Sequence, residues 1–143
     1  MKVKRLFGAD CNPKQLSPLT LAFVGDGVFE LFVREKLVCQ GNCPVNALHK
    51  RSVEQVCCGA QAVAAKKLLP LLTEEEAAVY NRGRNAHVGH VPKNAKVADY
   101  HAATAFEALF GYVYLSGDLE RLRMLVQIAC EALEGADETH PLV

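Results

Sequence analysis

Apolar residues recur along most of this chain at intervals of three and four, the period of a helix with one buried side. Ser17 and Pro18 supply a helix N-cap and a proline at the first helical position. Beyond them Leu21, Val24, Val28 and Leu31 fall at i, i+3, i+7 and i+10, which predicts one helix with these four as its stripe. Pro44 opens a second predicted helix, with Val45, Leu48, Ser52, Val56, Gly59 and Val63 along one side and Lys50, Arg51 and Glu54 turned elsewhere. Thr73 followed by Glu76 fits a capping box for a third, short helix ending near "NRGRN". The segment "HVGHVPKNAK" interrupts the period with Gly89 and Pro92 and reads as a loop. Helical spacing resumes near Asp99, where Ala103, Phe106, Phe110 and Val113 form a core stripe, and Gly117 stops it. A final helix covers about Leu119 to Leu133 and ends at Gly135, followed by a loosely held tail, "ADETHPLV". With no alternating strand pattern and no internal repeat, the chain reads as all-α.

Length and composition narrow this to one compact domain over residues 1–143, with its core at about 18–133 and a tail at about 134–143. Half of the residues are hydrophobic, enough for a core without staples. Sixteen basic and sixteen acidic residues cancel, so any case for nucleic acid must rest on where the charges lie. Between Ala77 and Ala98 there is no acid, while Arg82, Arg84, Lys93 and Lys96 are basic and His87 and His90 can become so. Such a loop, rich in glycine and asparagine, can approach phosphates with side chains and backbone N–H groups; an ordinary solvated loop is the competing reading. The six cysteines, at 11, 39, 43, 57, 58 and 130, form no CxxC pair and read as free thiols, which suit a reducing cytoplasm. No stretch has the length of a signal peptide's apolar core or a membrane span, so a soluble, cytoplasmic protein without a membrane partner is expected.

Two acids stand out from apolar surroundings. Asp26 lies between two glycines in "LAFVGDGVFELFVR", and Glu107 lies inside "ATAFEALFGYVYL". Thr104, Glu107, Gly111 and Tyr114 share a small, polar face distinct from the Phe106 and Phe110 stripe. One isolated carboxylate on each of two helices suits a hard cation such as magnesium, which takes one or two carboxylates and fills its other positions with water and substrate phosphate. Such an ion can turn a water into a nucleophile and stabilise charge on a phosphodiester. The alternative is that these acids are solvated or paired with Arg34 or Arg82. Glu30, one turn beyond Asp26, is either a supporting group or a surface charge. Spacing alone does not bring Asp26 and Glu107 together.

"FVGDGV" at 23–28 together with "TAFEALFGYVYL" at 104–115 resembles the two signature helices of the ribonuclease III catalytic domain. The longer runs "LAFVGDGVFELFVR", "NRGRNA" and "PKNAKVADYHAATAFEALFGYVYLSGDLERL", in a short chain with no appended double-stranded-RNA-binding domain, are similar to the Mini-ribonuclease III family from about Pro18 to Leu133. The resemblance implies an all-α, homodimeric, Mg2+-dependent endoribonuclease that cuts double-stranded RNA and matures the ends of 23S ribosomal RNA precursor, with a ribosomal protein as a possible further partner. It implies that Asp26 and Glu107 hold the metal. The larger family has acids where this chain has Ala22 and Thr104; the Mini form lacks them too, and the Thr104 hydroxyl remains able to orient a metal-bound water. Val24, Val28 and Leu31 become dimer contacts, and Arg82, Arg84, Asn85, Lys93 and Asn94 become the groups that grip the RNA backbone. Two rivals stand beside this reading. A non-catalytic RNA-binding paralogue acting in ribosome assembly is favoured by the missing acids and disfavoured by the retained ones. A phosphohydrolase of small nucleotides would need His-Asp ligand pairs, which the histidines at 49, 87, 90, 101 and 140 do not form.

Overall fold

The computed structural model describes residues 5–86, 89–91, 93 and 96–138, with side chains to 134. Six helices account for most of them: α1 (Pro18–Cys39), α2 (Val45–Val56), α3 (Cys58–Leu68), α4 (Glu74–Arg84), α5 (Val97–Leu115) and α6 (Leu119–Glu138). Short 3-10 turns precede α1 and follow α3. Among the described residues there is no strand, as the periodicity requires.

The hub is α5. Ten of its residues, from Ala103 to Val113, are buried, so it is apolar on nearly every side and must be wrapped by other helices. α1, α3 and α4 supply the wrapping. Phe29 from α1 stands edge-on to Phe106 at 4.9 Å between ring centroids and also meets Phe110, while Phe106 and Phe110 lie 4.5 Å apart. Aromatic pairs of this geometry contribute roughly 0.5–1.5 kcal/mol each beyond the area they bury.

Glycines set how closely the helices approach. A Cβ on Gly25 of α1 would run into the Glu107 carbonyl, and one on Gly111 of α5 into the Leu21 carbonyl. The two backbones therefore touch directly, a contact that only residues without a side chain permit. α4 repeats the device more gently: a Cβ on Gly83 would lie 2.9 Å from the Ala105 Cα.

This crossing decides which side of α1 is inside. The buried face is Leu21, Ala22, Gly25, Phe29, Val33 and Leu37. Of the stripe anticipated from spacing only Leu21 is buried; Val24 and Val28 are half-buried and Leu31 is 55% exposed. The helix carries apolar residues on two sides, so spacing admits both stripes, and the side bearing Gly25 packs more closely on α5.

The helix anticipated from Pro44 is two helices. Cys57 adopts an extended conformation (ψ 160°) that ends α2 and serves as the N-cap of α3. Its N–H still bonds to Val53 and its thiol donates to the Glu54 carbonyl, so the break leaves α2 closed off. No proline marks the break; the packing of α3 on α5 imposes it, burying Gln61, Ala62, Ala64, Ala65 and Leu68 and leaving Val63 exposed.

The capping box of α4 is present, with Glu76 N–H donating to Thr73 Oγ1 at 3.1 Å and Thr73 N–H to Glu76 Oε1 at 2.9 Å. Buried Glu76 also receives two hydrogen bonds from Arg121 of α6, at 2.7 and 2.9 Å, and this guanidinium holds its carboxyl below the usual range. α5 begins at Val97, and Gly117 follows it with φ +80°. α6 passes through Gly135 and runs on to Glu138, because a single glycine weakens a helix by about 1 kcal/mol without ending it. Among the described residues no helix is long and apolar enough to cross a membrane.

Gly111→Ala should lower the free energy of urea unfolding by at least the ~1–3 kcal/mol typical of an overpacked core, since the clash is with backbone. Gly59→Ala, whose nearest obstacle is a side-chain oxygen at 4.0 Å, should be neutral or gain up to ~1 kcal/mol of helix propensity. Equal behaviour of the two variants would contradict the crossing.

Candidate active site

The contact of Gly25 with the Glu107 backbone places the next residue of α1, Asp26, beside the Glu107 side chain. Eighty-one positions of sequence are thereby reduced to neighbouring carboxylates. Their environments differ: Asp26 is exposed, and Glu107 is the half-buried member. Burial, and after it the neighbouring Asp26 carboxylate, together push the Glu107 carboxyl up to about 8.

Neither arginine considered as a partner neutralises Asp26. Arg34 is bound to Glu30 at 2.8 Å, and Arg82 donates to the Leu16 carbonyl at 3.3 Å. Among the described residues no ion pair reaches Asp26 or Glu107. Two unneutralised carboxylates, one of them kept from ionising by burial and by the other, form a donor set that a divalent cation fits. Among the described residues no group of three or more His, Cys, Asp or Glu is poised for a metal. An ion here would take two protein carboxylates and leave its remaining positions to water and phosphate, which is magnesium's habit.

The other candidates occupy defined places around this pair. Thr104 is buried and its hydroxyl donates to the Tyr100 carbonyl at 3.0 Å, leaving only its acceptor lone pairs available. Ala22 is buried one turn before Asp26. Glu30 is engaged with Arg34. Because Gly83 nests against Ala105 and Ala108, Arg82 and Arg84 flank the level of Glu107 along α5. Asn85 and Lys93 are exposed on the connection that follows; Asn94 and His87 lie outside the described residues.

Three neighbours of the pair escaped the sequence reading. Burial and then the Glu107 carboxylate, with Cys57 and Asp99 adding less, push the Cys58 thiol up, which puts Cys58 within electrostatic reach of Glu107 and Asp99. A Cβ on Gly59 would sit 4.0 Å from Asp99 Oδ2. Asp99 was visible only as a helix start, and the start of α3 was hidden because the break at Cys57 carries no sequence signal.

The chain is an all-helical domain, and the Ribonuclease III domain family matches its residues 19–118. A Mini-ribonuclease 3 of Thermoanaerobacter sp. is 47% identical over 83% of this chain and 84% of its own length. One from Symbiobacterium thermophilum is 48% identical over 86% of this chain and 95% of its own. The crystal structure of protein FN1578 from Fusobacterium nucleatum superposes with a TM-score of 0.74 at 30% identity, covering 82% of this chain and 94% of that one. The chain belongs to the ribonuclease III domain family, in its Mini-ribonuclease 3 group. It is an endoribonuclease of the double-stranded-RNA-cutting kind.

The Glu107 shift has a consequence for stability. Between its ordinary value of 4.5 and about 8, the folded metal-free protein keeps a proton that the unfolded chain has lost, so stability falls as pH rises through that window. Glu107→Gln should flatten this decline and be more stable than wild type at pH near 8, measured by urea unfolding in EDTA. Parallel pH profiles for the two proteins would contradict the assignment.

Proposed function

We propose that Asp26 and Glu107 hold a magnesium ion and that the protein uses this site, in a homodimer, to cut both strands of an RNA duplex. The observation that carries the proposal is the unneutralised carboxylate pair held together at the glycine crossing. The ion would supply a water of lowered pKa and positive charge toward the scissile phosphodiester. Asp26 offers an exposed carboxylate on the RNA side. Glu107 would give up its proton to hold a cation, and its burial would keep its oxygens fixed there. Thr104 presents acceptor lone pairs toward the same face, and Glu30 stands one turn along α1 as a supporting charge. Arg82, Arg84, Asn85, Lys93 and Asn94 bear on the phosphates, since A-form RNA is read through its backbone and 2′-hydroxyls. We further infer that the chain works as a single catalytic domain in the cytoplasm on the ends of 23S ribosomal RNA precursor, with a ribosomal protein as a further partner. The kinship with Mini-ribonuclease 3 proteins supports this.

The outward side of α1 supports the dimer. Phe23 is 81% exposed, and beside it Val24, Val28, Leu31, Phe32, Tyr114 and Leu119 line an apolar groove of about 340 Å³. A two-fold pairing would let each Phe23 enter the partner's groove, burying apolar surface on both sides with one self-complementary patch. It would also set the two carboxylate pairs on opposite sides of one duplex.

Incubation with plain duplex RNA and with a structured ribosomal precursor, with and without magnesium and with the ends mapped, tests the activity. Asp26→Asn and Glu107→Gln should each lose more than ~10²-fold in cleavage while keeping fold and duplex binding. Near wild-type cutting by either variant would remove these residues from the site. Phe23→Asp should convert a dimer to a monomer in sedimentation equilibrium; an unchanged mass would overturn the interface.

A further inference from the structure

We propose that α2 is a second RNA-binding element, in which Lys50 and Arg51 contact backbone phosphates away from the cut. This rests on the reading of Asp26 and Glu107 as the cutting site and extends the surface that the duplex touches.

The argument begins at the break between α2 and α3. Because Cys57 turns the chain, α2 ends where Gly59 stands beside Asp99 and Cys58 lies within electrostatic reach of Glu107. α2 therefore leads directly away from the carboxylates. A groove of about 450 Å³ runs from Arg51 past Gln55 and Cys57 to Gly59, the residue that faces Asp99. Arg51 is seven residues before Cys58, on the order of 10 Å along a helix. A duplex carries a phosphate about every 3 Å of axis on each strand, so a strand leaving the site along this groove meets α2 within a few nucleotides.

The charges on α2 are available for that purpose. His49, Lys50 and Arg51 are successive and exposed. Of the ion pairs among the described residues, none uses Lys50 or Arg51. The Arg51 guanidinium makes one long contact, 3.8 Å from Nη1 to Cys43 Sγ, which leaves its other donors free. Two acids share the groove, Glu134 and Glu54; Glu134 is neutralised by Lys36 at 2.8 Å, and Glu54 is the single acid of α2. Outward-facing cations without carboxylate partners, on a helix aimed at a phosphodiester-cutting site, fit a polyanion.

The test compares two double variants, Lys50→Ala with Arg51→Ala and Arg82→Ala with Arg84→Ala, binding a plain RNA duplex in EDTA across a salt series. For the α2 pair we expect affinity to fall on the order of tenfold or more, and the slope of log K against log salt to drop by about two per protomer. Lys50→Arg with Arg51→Lys, which keeps both charges, should bind as wild type does. If the α2 variant binds with wild-type affinity and slope while the Arg82 and Arg84 variant weakens, the inference is wrong and the site reading stands. If both bind as wild type does, the inference and the assignment of Arg82 and Arg84 to RNA fail together. Loss of binding in the charge-preserving variant as well would overturn the phosphate contact in favour of a packing role.

Discussion

The direct backbone contact between α1 and α5 is the constraint on which the rest of the molecule depends. Gly25 and Gly111 each meet a carbonyl of the opposite helix, and a methyl group at either position has nowhere to go. That closeness orients α1 so that Phe29 meets Phe106 and Phe110 in the core, and it sets Asp26 next to Glu107. Packing and chemistry here share one cause. A wider crossing would leave two unrelated acids on two helices.

The same crossing explains the unequal character of the two acids. Glu107 sits on the central helix, where neighbours on most sides desolvate it, while Asp26 sits on the outer side of a flanking helix. An ionised carboxylate buried without a counter-charge is costly, and since no cation among the described residues pairs with Glu107, its carboxyl keeps its proton up to about pH 8. The proposed cation would supply the counter-charge, and proton release would accompany binding. α4 adds the basic side of the site through a second glycine contact, Gly83 on Ala105, which carries Arg82 and Arg84 to the level of Glu107. Its other end is anchored by Glu76, which caps α4 and binds Arg121 of α6.

Much of this was legible in the chain. The Ser17–Pro18 start of α1, the Thr73–Glu76 capping box and the Phe106/Phe110 stripe of α5 are local signals, because a cap or a helical period involves residues a few positions apart. Asp26 and Glu107 stood out for the same reason, as charges in apolar runs. The segment from Ala77 to Ala98 showed its charge bias without any coordinates.

What spacing left open depended on contacts between distant segments. α1 is apolar on two sides, and only the approach of α5 to Gly25 determined that Phe29 and Val33 lie inside while Leu31 lies outside. The break at Cys57 follows from α3 packing on α5, with no local breaker to announce it, and so Cys58 and Gly59 arrived beside Asp99 without a sequence signal. The sequence by itself determined most of the helices, the caps of α1 and α4 and which two acids stand apart in apolar runs, since these are settled by neighbours along the chain. The tertiary structure alone decided that the acids meet, because their proximity is a property of two helices touching at glycine and of nothing within either one.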